Sequence, residues 1–216
     1  YEEAIENAIT VVKNDYYMMG IKNLEKKKIA YVKFGDDDHL PFLEVLNQYA
    51  TVTEISSTDI NKLKTKLKDF NLVIIGLHKS NASPWKGYKF TMTELDWLKE
   101  IAEERSSNLI LTVFAKPYAL LDVPTFKNVD GVVVAYQNST VAQRKTAQLL
   151  FGAIPAKGVL PVSAHKNFPV NSSMQLKSLK RLGYSLPERV GLSSSRLASV
   201  DSLVRDGLDS LMYPGA

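Results

Sequence analysis

Three histidines, His39, His78 and His165, are the side chains best suited to proton transfer or metal ligation near neutral pH. They lie far apart in sequence. None falls in an H-x-x-x-H or H-E-x-x-H pattern, which would set two imidazoles on one helical face, so no metal site is expected. His78 is the best placed for function, because it follows an apolar run that reads as a buried strand, and binding residues of open sheets collect just past such strands. Its plainer reading is a solvated or locally hydrogen-bonded loop histidine. Two S-x-x-K matches, at 83–86 and 163–166, have the spacing that brings a lysine amine beside a serine hydroxyl on a helical turn. Pro84 and Pro161 favour extended chain there, and no K-T-G follows, the nearest approach being Lys145-Thr146-Ala147. Both read as chance matches.

Phosphate chemistry has no cradle, since neither G-x-G-x-x-G nor G-x-x-x-x-G-K-[ST] follows any apolar run, and no cofactor is expected. Asp36, Asp37 and Asp38 follow the first run, as the acids of phospho-acceptor receiver domains do. A receiver would also need an aspartate ending a central strand and a lysine after a later one, and the sequence offers only the lysine, Lys116. The run Lys26-Lys27-Lys28 and the lysines of the 58–69 segment read as a solvated face.

Positioning these residues requires a fold, and composition bounds it. With 216 residues, 45% hydrophobic and 23% charged, the chain can bury a substantial core as one large domain or one domain with appendages. Its 27 basic and 23 acidic residues leave a net charge of +4, too little to suggest a nucleic-acid partner. The absence of cysteine rules out disulfides, thiolate zinc sites and cysteine nucleophiles. No stretch approaches the roughly 18 to 20 apolar residues of a membrane span, so a soluble piece without a membrane span is expected. Tyr1-Glu2-Glu3 does not begin like a signal peptide, and the ending Met212-Tyr213-Pro214-Gly215-Ala216 completes no element. Both ends are expected to be cuts from a longer protein.

Four apolar runs rich in β-branched residues, at 29–34, 72–76, 109–114 and 132–136, predict strands buried on both faces of a parallel sheet, and 51–55 predicts an edge strand. Helices are predicted between them. Ile60, Leu63, Leu67 and Phe70 mark one beginning near Ser57 and Thr58, and Thr91-Met92-Thr93-Glu94 has the form of a capping box opening the next. Residues 138–151 form another, ended by Gly152, and 39–49 a fourth with Pro41 in its first turn. The expected fold class is therefore α/β, an open, mostly parallel sheet sandwiched by helices, followed by an extended C-terminal linker and a terminal helix capped by Ser193. The loops past the strands, at 35–38, 77–90, 115–125 and 137–140, are where function is expected.

Several stretches together resemble one family. Ala8-Ile9-Thr10-Val11-Val12-Lys13-Asn14 resembles the opening of the C-terminal domain of family-three glycoside hydrolases, with Met18-Met19-Gly20-Ile21 departing from the usual leucine-proline continuation. Val113 to Leu120, reading V-F-A-K-P-Y-A-L, is similar to that domain's V-F-G-N-P-Y-x-L turn, with Ala115 and Lys116 in place of glycine and asparagine. Phe151 to Ser163 is similar to its closing G-x-x-x-P-x-G-[KR]-L-P-V-[ST] segment. The tail, Arg181-Leu182-Gly183-Tyr184 and Val190-Gly191-Leu192-Ser193 with the ending Tyr213 to Ala216, resembles the linker and first helix of a serine β-lactamase-related domain fused to β-N-acetylglucosaminidases of the Bacteroidetes.

The resemblance implies three segments: 1–165 as the α/β-sandwich domain, 166–192 as linker, and 193–216 as the opening helix of a truncated β-lactamase-related domain. It implies that the nucleophilic aspartate lies in an N-terminal barrel absent here. In the N-acetylglucosaminidase branch the acid/base is a histidine-aspartate pair on a barrel loop, whereas many β-glucosidases take a glutamate from the C-terminal domain. The tail points to the former, so no catalytic residue is expected in this chain, and the fragment alone is expected to be inactive. Its partners would be the barrel of the same parent polypeptide and, in the parent, a β-N-acetylglucosaminide. Targeting is not visible in the fragment, and the resemblance implies a periplasmic or secreted parent. Substrate-proximal candidates are His78, Trp85, Tyr88, Lys116 and Tyr118, the aromatics being able to stack on a sugar ring; their plainer role is to pack the loops.

Overall fold

The computed structural model describes residues 1–82, 87–104 and 107–212. Five strands are parallel: β2 (Ile29–Gly35), β3 (Val52–Glu54), β4 (Leu72–His78), β5 (Asn108–Phe114) and β6 (Gly131–Val134). A further strand, β1 (Thr10–Asn14), pairs antiparallel with β6, giving the spatial order β1-β6-β5-β4-β2-β3. The α/β sandwich expected from sequence is therefore the fold, with the short β3 at one edge. Sequence reading did not anticipate β1, whose Thr-Val-Val-Lys-Asn carries only two apolar residues. Its strand character comes from its neighbours: β6 on one side and, on the other, Met174 N donating to the Val11 carbonyl at 2.8 Å.

Alternation along the strands builds two cores. On one face Val73, Ile75 and Leu77 pack with α3 (Ile60–Leu67) and α4 (Met92–Glu104). On the other, Leu72, Ile74 and Tyr31 pack with α2 (Leu40–Tyr49) and α5 (Thr140–Leu150). The period of two thus sends alternate side chains of one strand to opposite helical layers. An N-terminal helix, α1 (Glu2–Ala8), is held to α5 by Lys145, whose buried ammonium lies 3.0 Å from Glu2 and 3.4 Å from Glu6.

Helix starts follow the capping chemistry. Thr91 Oγ1 accepts from Glu94 N at 3.2 Å while Glu94 Oε2 accepts from Thr91 N at 2.7 Å, the reciprocal pair of a capping box. The cap of α3 is Asp59, just past the start expected near Ser57 and Thr58, and it accepts from Lys62 N at 2.8 Å. Ser139 caps α5.

Past Gly152, at φ +73°, the chain is extended but stays on the sheet. Ala156 pairs with Leu176, and the Arg181 guanidinium donates to the Ile21 and Phe151 carbonyls at 2.7 Å each. One compact unit spans Tyr1–Leu182 and a second Gly183–Ala216. The second holds α6 (Ser194–Asp209), capped by Ser193 and carrying exposed Leu197, Val200 and Leu203. No helix among the described residues is long and apolar enough to cross a membrane.

Candidate functional site

In a sheet of this order the crossover direction reverses between β2 and β4, and ligands of open α/β sheets usually bind beyond the strand ends at that point. Here the protein fills that place itself. Gly35 and His78 end the two strands in register, and the chain turns back at once, so that Asp36 N and Asp37 N both donate to the His78 carbonyl, at 3.1 and 3.3 Å. Gly35 has φ +88°, and a Cβ there would run into that same carbonyl.

Beneath the turn lies a buried chain of hydrogen bonds with one polarity. Asn138 Nδ2 donates to Asp37 Oδ2 at 2.9 Å and to the Asp38 carbonyl at 2.8 Å. Both partners are acceptors, so the amide oxygen must face the other way, where His78 Nδ1 lies at 2.7 Å and Gln143 Nε2 donates at 3.0 Å. His78 Nδ1 therefore carries a proton. Its Nε2, 2.7 Å from the Tyr31 hydroxyl, is left as the acceptor. Burial pushes the His78 pKa from 6.5 down to about 3, and His39 and Lys33 nearby push it the same way, against the pull of the Asn138 bond. Burial also raises the Tyr31 phenol, with Glu54 and Asp38 adding to it. An imidazole kept neutral near pH 7 and held at both nitrogens by a phenol and an amide ties β2 and the end of β4 to the loop at Asn138. His39 stacks on Tyr31, ring centres 5.6 Å apart; its Nε2 lies 2.8 Å from Glu54 Oε1, close enough for an ion pair but outside hydrogen-bond alignment.

Above this layer, Lys79 is almost wholly buried, 3.8 Å from Glu94 and 4.0 Å from Asp36. Glu94 is committed by its capping bond and by Gly35 N, which donates to Oε1 at 2.6 Å. The open space is displaced toward β5 and β6: a cleft of about 210 Å³ lined by Lys79, Asn81, Tyr88, Lys116, Tyr136 and Gln137, among others. Lys116 Nζ sits 5.5 Å from the centre of the Tyr88 ring. Among the described residues, no group of three histidine or acidic side chains is arranged to hold a metal ion.

The structure brings two of the sequence-predicted site residues, Tyr88 and Lys116, into one cleft. His78 ends β4 rather than beginning the loop and is fully buried under the rim. Tyr118 is exposed on the 3₁₀ turn Pro117–Asp122. Trp85 and both ends of the 83–86 S-x-x-K match lie outside the described residues. Sequence reading did not single out Tyr31, Lys79, Asn81, Asn138 or Gln143. The one signal for Asn138 was its position in a predicted strand-end loop.

No family model matches the chain, and no curated protein matches it. Solved structures do. A fungal multi-domain family-3 glycoside hydrolase, a β-N-acetylglucosaminidase described as having a GCN5-related glucosamine N-acetyltransferase region, is similar at TM-score 0.61 and 21% identity, over 81% of this chain and 19% of that one. A family-3 β-N-acetylglucosaminidase from Paenibacillus sp. str. FPU-7 is similar at TM-score 0.58 and 17% identity, over 80% and 32%. The chain shares its fold with part of these enzymes. The same holds for a family-3 β-glucosidase from Bifidobacterium adolescentis, at TM-score 0.52 and 16% identity, over 75% and 28%. The chain thus spans a fifth to a third of the length of these family-3 proteins. Because enzymes named for different sugars share the fold, it carries the resemblance seen in sequence without choosing a branch.

Proposed function

We propose that this chain is a non-catalytic domain of a larger glycoside hydrolase of the β-N-acetylglucosaminidase kind, packing on a catalytic barrel of the same polypeptide and walling its sugar pocket with the strand-end rim. The observation that carries this reading is chemical. Among the described residues, those lining the cleft at the rim carry ammonium groups, amides, a hydroxyl and tyrosine rings but no carboxylate, and burial holds the pKa of His78 down at about 3. Retaining hydrolysis needs two carboxyl groups, or a substitute for one, astride the scissile bond. A wall of this composition can orient a sugar and exclude water, and another part of the parent would supply bond cleavage. Tyr88, Lys116, Tyr118 and Trp85 remain the candidates for contact with the sugar, and His78 supports the rim from below.

The test compares hydrolysis of an aryl N-acetylglucosaminide by the parent and by the purified 216-residue chain. Activity in the parent and none in the chain is expected; turnover by the chain alone would end this reading. A second reading, that the domain lends an acid/base carboxylate as in β-glucosidases, draws on Asp36, whose carboxylate is exposed at the rim. In that case Asp36→Asn in the parent would cut kcat steeply and abolish the basic limb of its pH profile; the first reading expects little change.

A further inference from the structure

The two cations of the rim cleft already have partners. Lys79 is almost wholly covered and faces Glu94 and Asp36 at 3.8 and 4.0 Å, and Lys116 is engaged, in part by the Tyr88 ring, whose centre lies 5.5 Å from its Nζ. Neutral groups therefore decide what the cleft can take, and among the described residues they divide into donors and an acceptor. The Asn81 amide oxygen accepts from Asn138 N at 3.4 Å, which leaves the amide nitrogen to donate to a ligand. Ser80 Oγ accepts from Ala82 N at 3.1 Å and keeps its own proton to give. The Gln137 amide is used the opposite way: its nitrogen donates to the Tyr1 hydroxyl at 3.0 Å, and its oxygen is left to accept. Tyr136 commits its hydroxyl to Thr10 at 2.7 Å, and Ala115 lines the same cleft as the Tyr88 ring, so the rest of the lining is largely apolar. A ligand matching this lining is neutral, accepts at one atom, donates at a close neighbour and carries a small apolar end. A secondary amide has that pattern in its carbonyl, its N–H and its methyl.

We propose that the cleft reads the acetamido group of an N-acetylated sugar: the carbonyl accepts from Asn81 Nδ2 and the Ser80 hydroxyl, the N–H donates to Gln137 Oε1, and the methyl lies against Ala115 and Tyr88. This deepens the sugar-wall reading above and rests on it. Asn81 and Gln137 are then specificity-determining residues, because their unlike ends fix which way round the amide sits. A plain hydroxyl in the same place on the sugar replaces only part of this hydrogen bonding and has no methyl to bury, a difference worth about tenfold in affinity.

Backbone amide shifts of the isotope-labelled chain test this, read during titration with N-acetylglucosamine, glucose and N-methylacetamide, the last an amide without a sugar ring. N-acetylglucosamine is expected to move the signals of Ser80, Asn81, Tyr88 and Gln137 saturably, and glucose and N-methylacetamide to do so about tenfold more weakly. Asn81→Asp keeps the oxygen that accepts from Asn138 N but puts an acceptor where the donor was. It should weaken N-acetylglucosamine binding by about fivefold, equivalent to about 1 kcal/mol, and leave glucose binding unchanged. Gln137→Met, which removes the acceptor, should do the same. Equal affinity for glucose and N-acetylglucosamine overturns the acetamido reading while sparing the sugar wall. N-methylacetamide binding as tightly as N-acetylglucosamine overturns it too, because the site would then take any amide. Silence toward both sugars, or unweakened N-acetylglucosamine binding by both variants, also overturns the proposal, and the comparison of parent with isolated chain then decides the sugar-wall reading separately.

Discussion

The hydroxyl of Tyr31 reaches past Gly76 to the Nε2 of His78 at 2.7 Å, joining the middle of β2 to the end of β4 across one residue that has no side chain. A Cβ on Gly76 would stand 2.5 Å from that nitrogen and 2.7 Å from the phenol oxygen. Gly76→Ala should therefore expel one of the two rings and leave a buried polar atom unpaired. A loss of about 2–4 kcal/mol is expected, combining overpacking with an unsatisfied group. Urea unfolding checks it; a midpoint within error of the parent chain would show that the bond matters little.

Protonation of His78 should couple to stability with a definite sign. The imidazole is neutral when folded, with a pKa lowered to about 3, and ordinary when unfolded, near 6.5. Between those values the unfolded chain binds the extra proton. Stability is fully present above about pH 6.5 and is lost as pH falls toward 3, by up to about 3–5 kcal/mol. Thermal melts at stepped pH should show this slope, and His78→Gln should flatten it. An imidazole signal for His78 that titrates near pH 6.5 in the folded chain would contradict the assignment.

Asn138 sets the polarity of the network, so its substitution separates packing from charge. Asn138→Ala removes the acceptor of His78 Nδ1–H and the donor to Asp37 and should cost about 2–3 kcal/mol. Asn138→Asp puts a carboxylate against the same nitrogen, which favours the imidazolium and should bring His78 titration up toward neutrality. Histidine proton chemical shifts measured against pH distinguish the two variants.

Lys145 is a buried cation between Glu2 and Glu6. Lys145→Met leaves two carboxylates facing an apolar group, and a loss of about 2–4 kcal/mol is expected. Hydrogen exchange should quicken in residues 2–8 before it does in the central strands. Uniform quickening would place the defect in the core instead of in the attachment of α1.

The parallel strands, the Thr91 capping box, Pro41 at the start of α2 and the Gly152 stop could all be read from the amino acids, because each depends on groups within a few residues of one another. β1 could not, since its five residues become a strand only when β6 and the chain near Met174 bond to either side. The same division separates the parts of the candidate site. Tyr88 and Lys116 drew notice as an aromatic and a cation in strand-end loops, and the cleft they share confirms only that they meet. His78 drew notice for its place after a buried run, but whether it met water or protein depended on Tyr31 and Asn138, 47 residues before it and 60 after. Period and local chemistry determined the layers and helix ends of this protein. The tertiary structure decided which polar side chains were buried together, and so which histidine is neutral and where the open cleft lies, because hydrogen bonding and desolvation act on neighbours in space that sequence separation does not reveal.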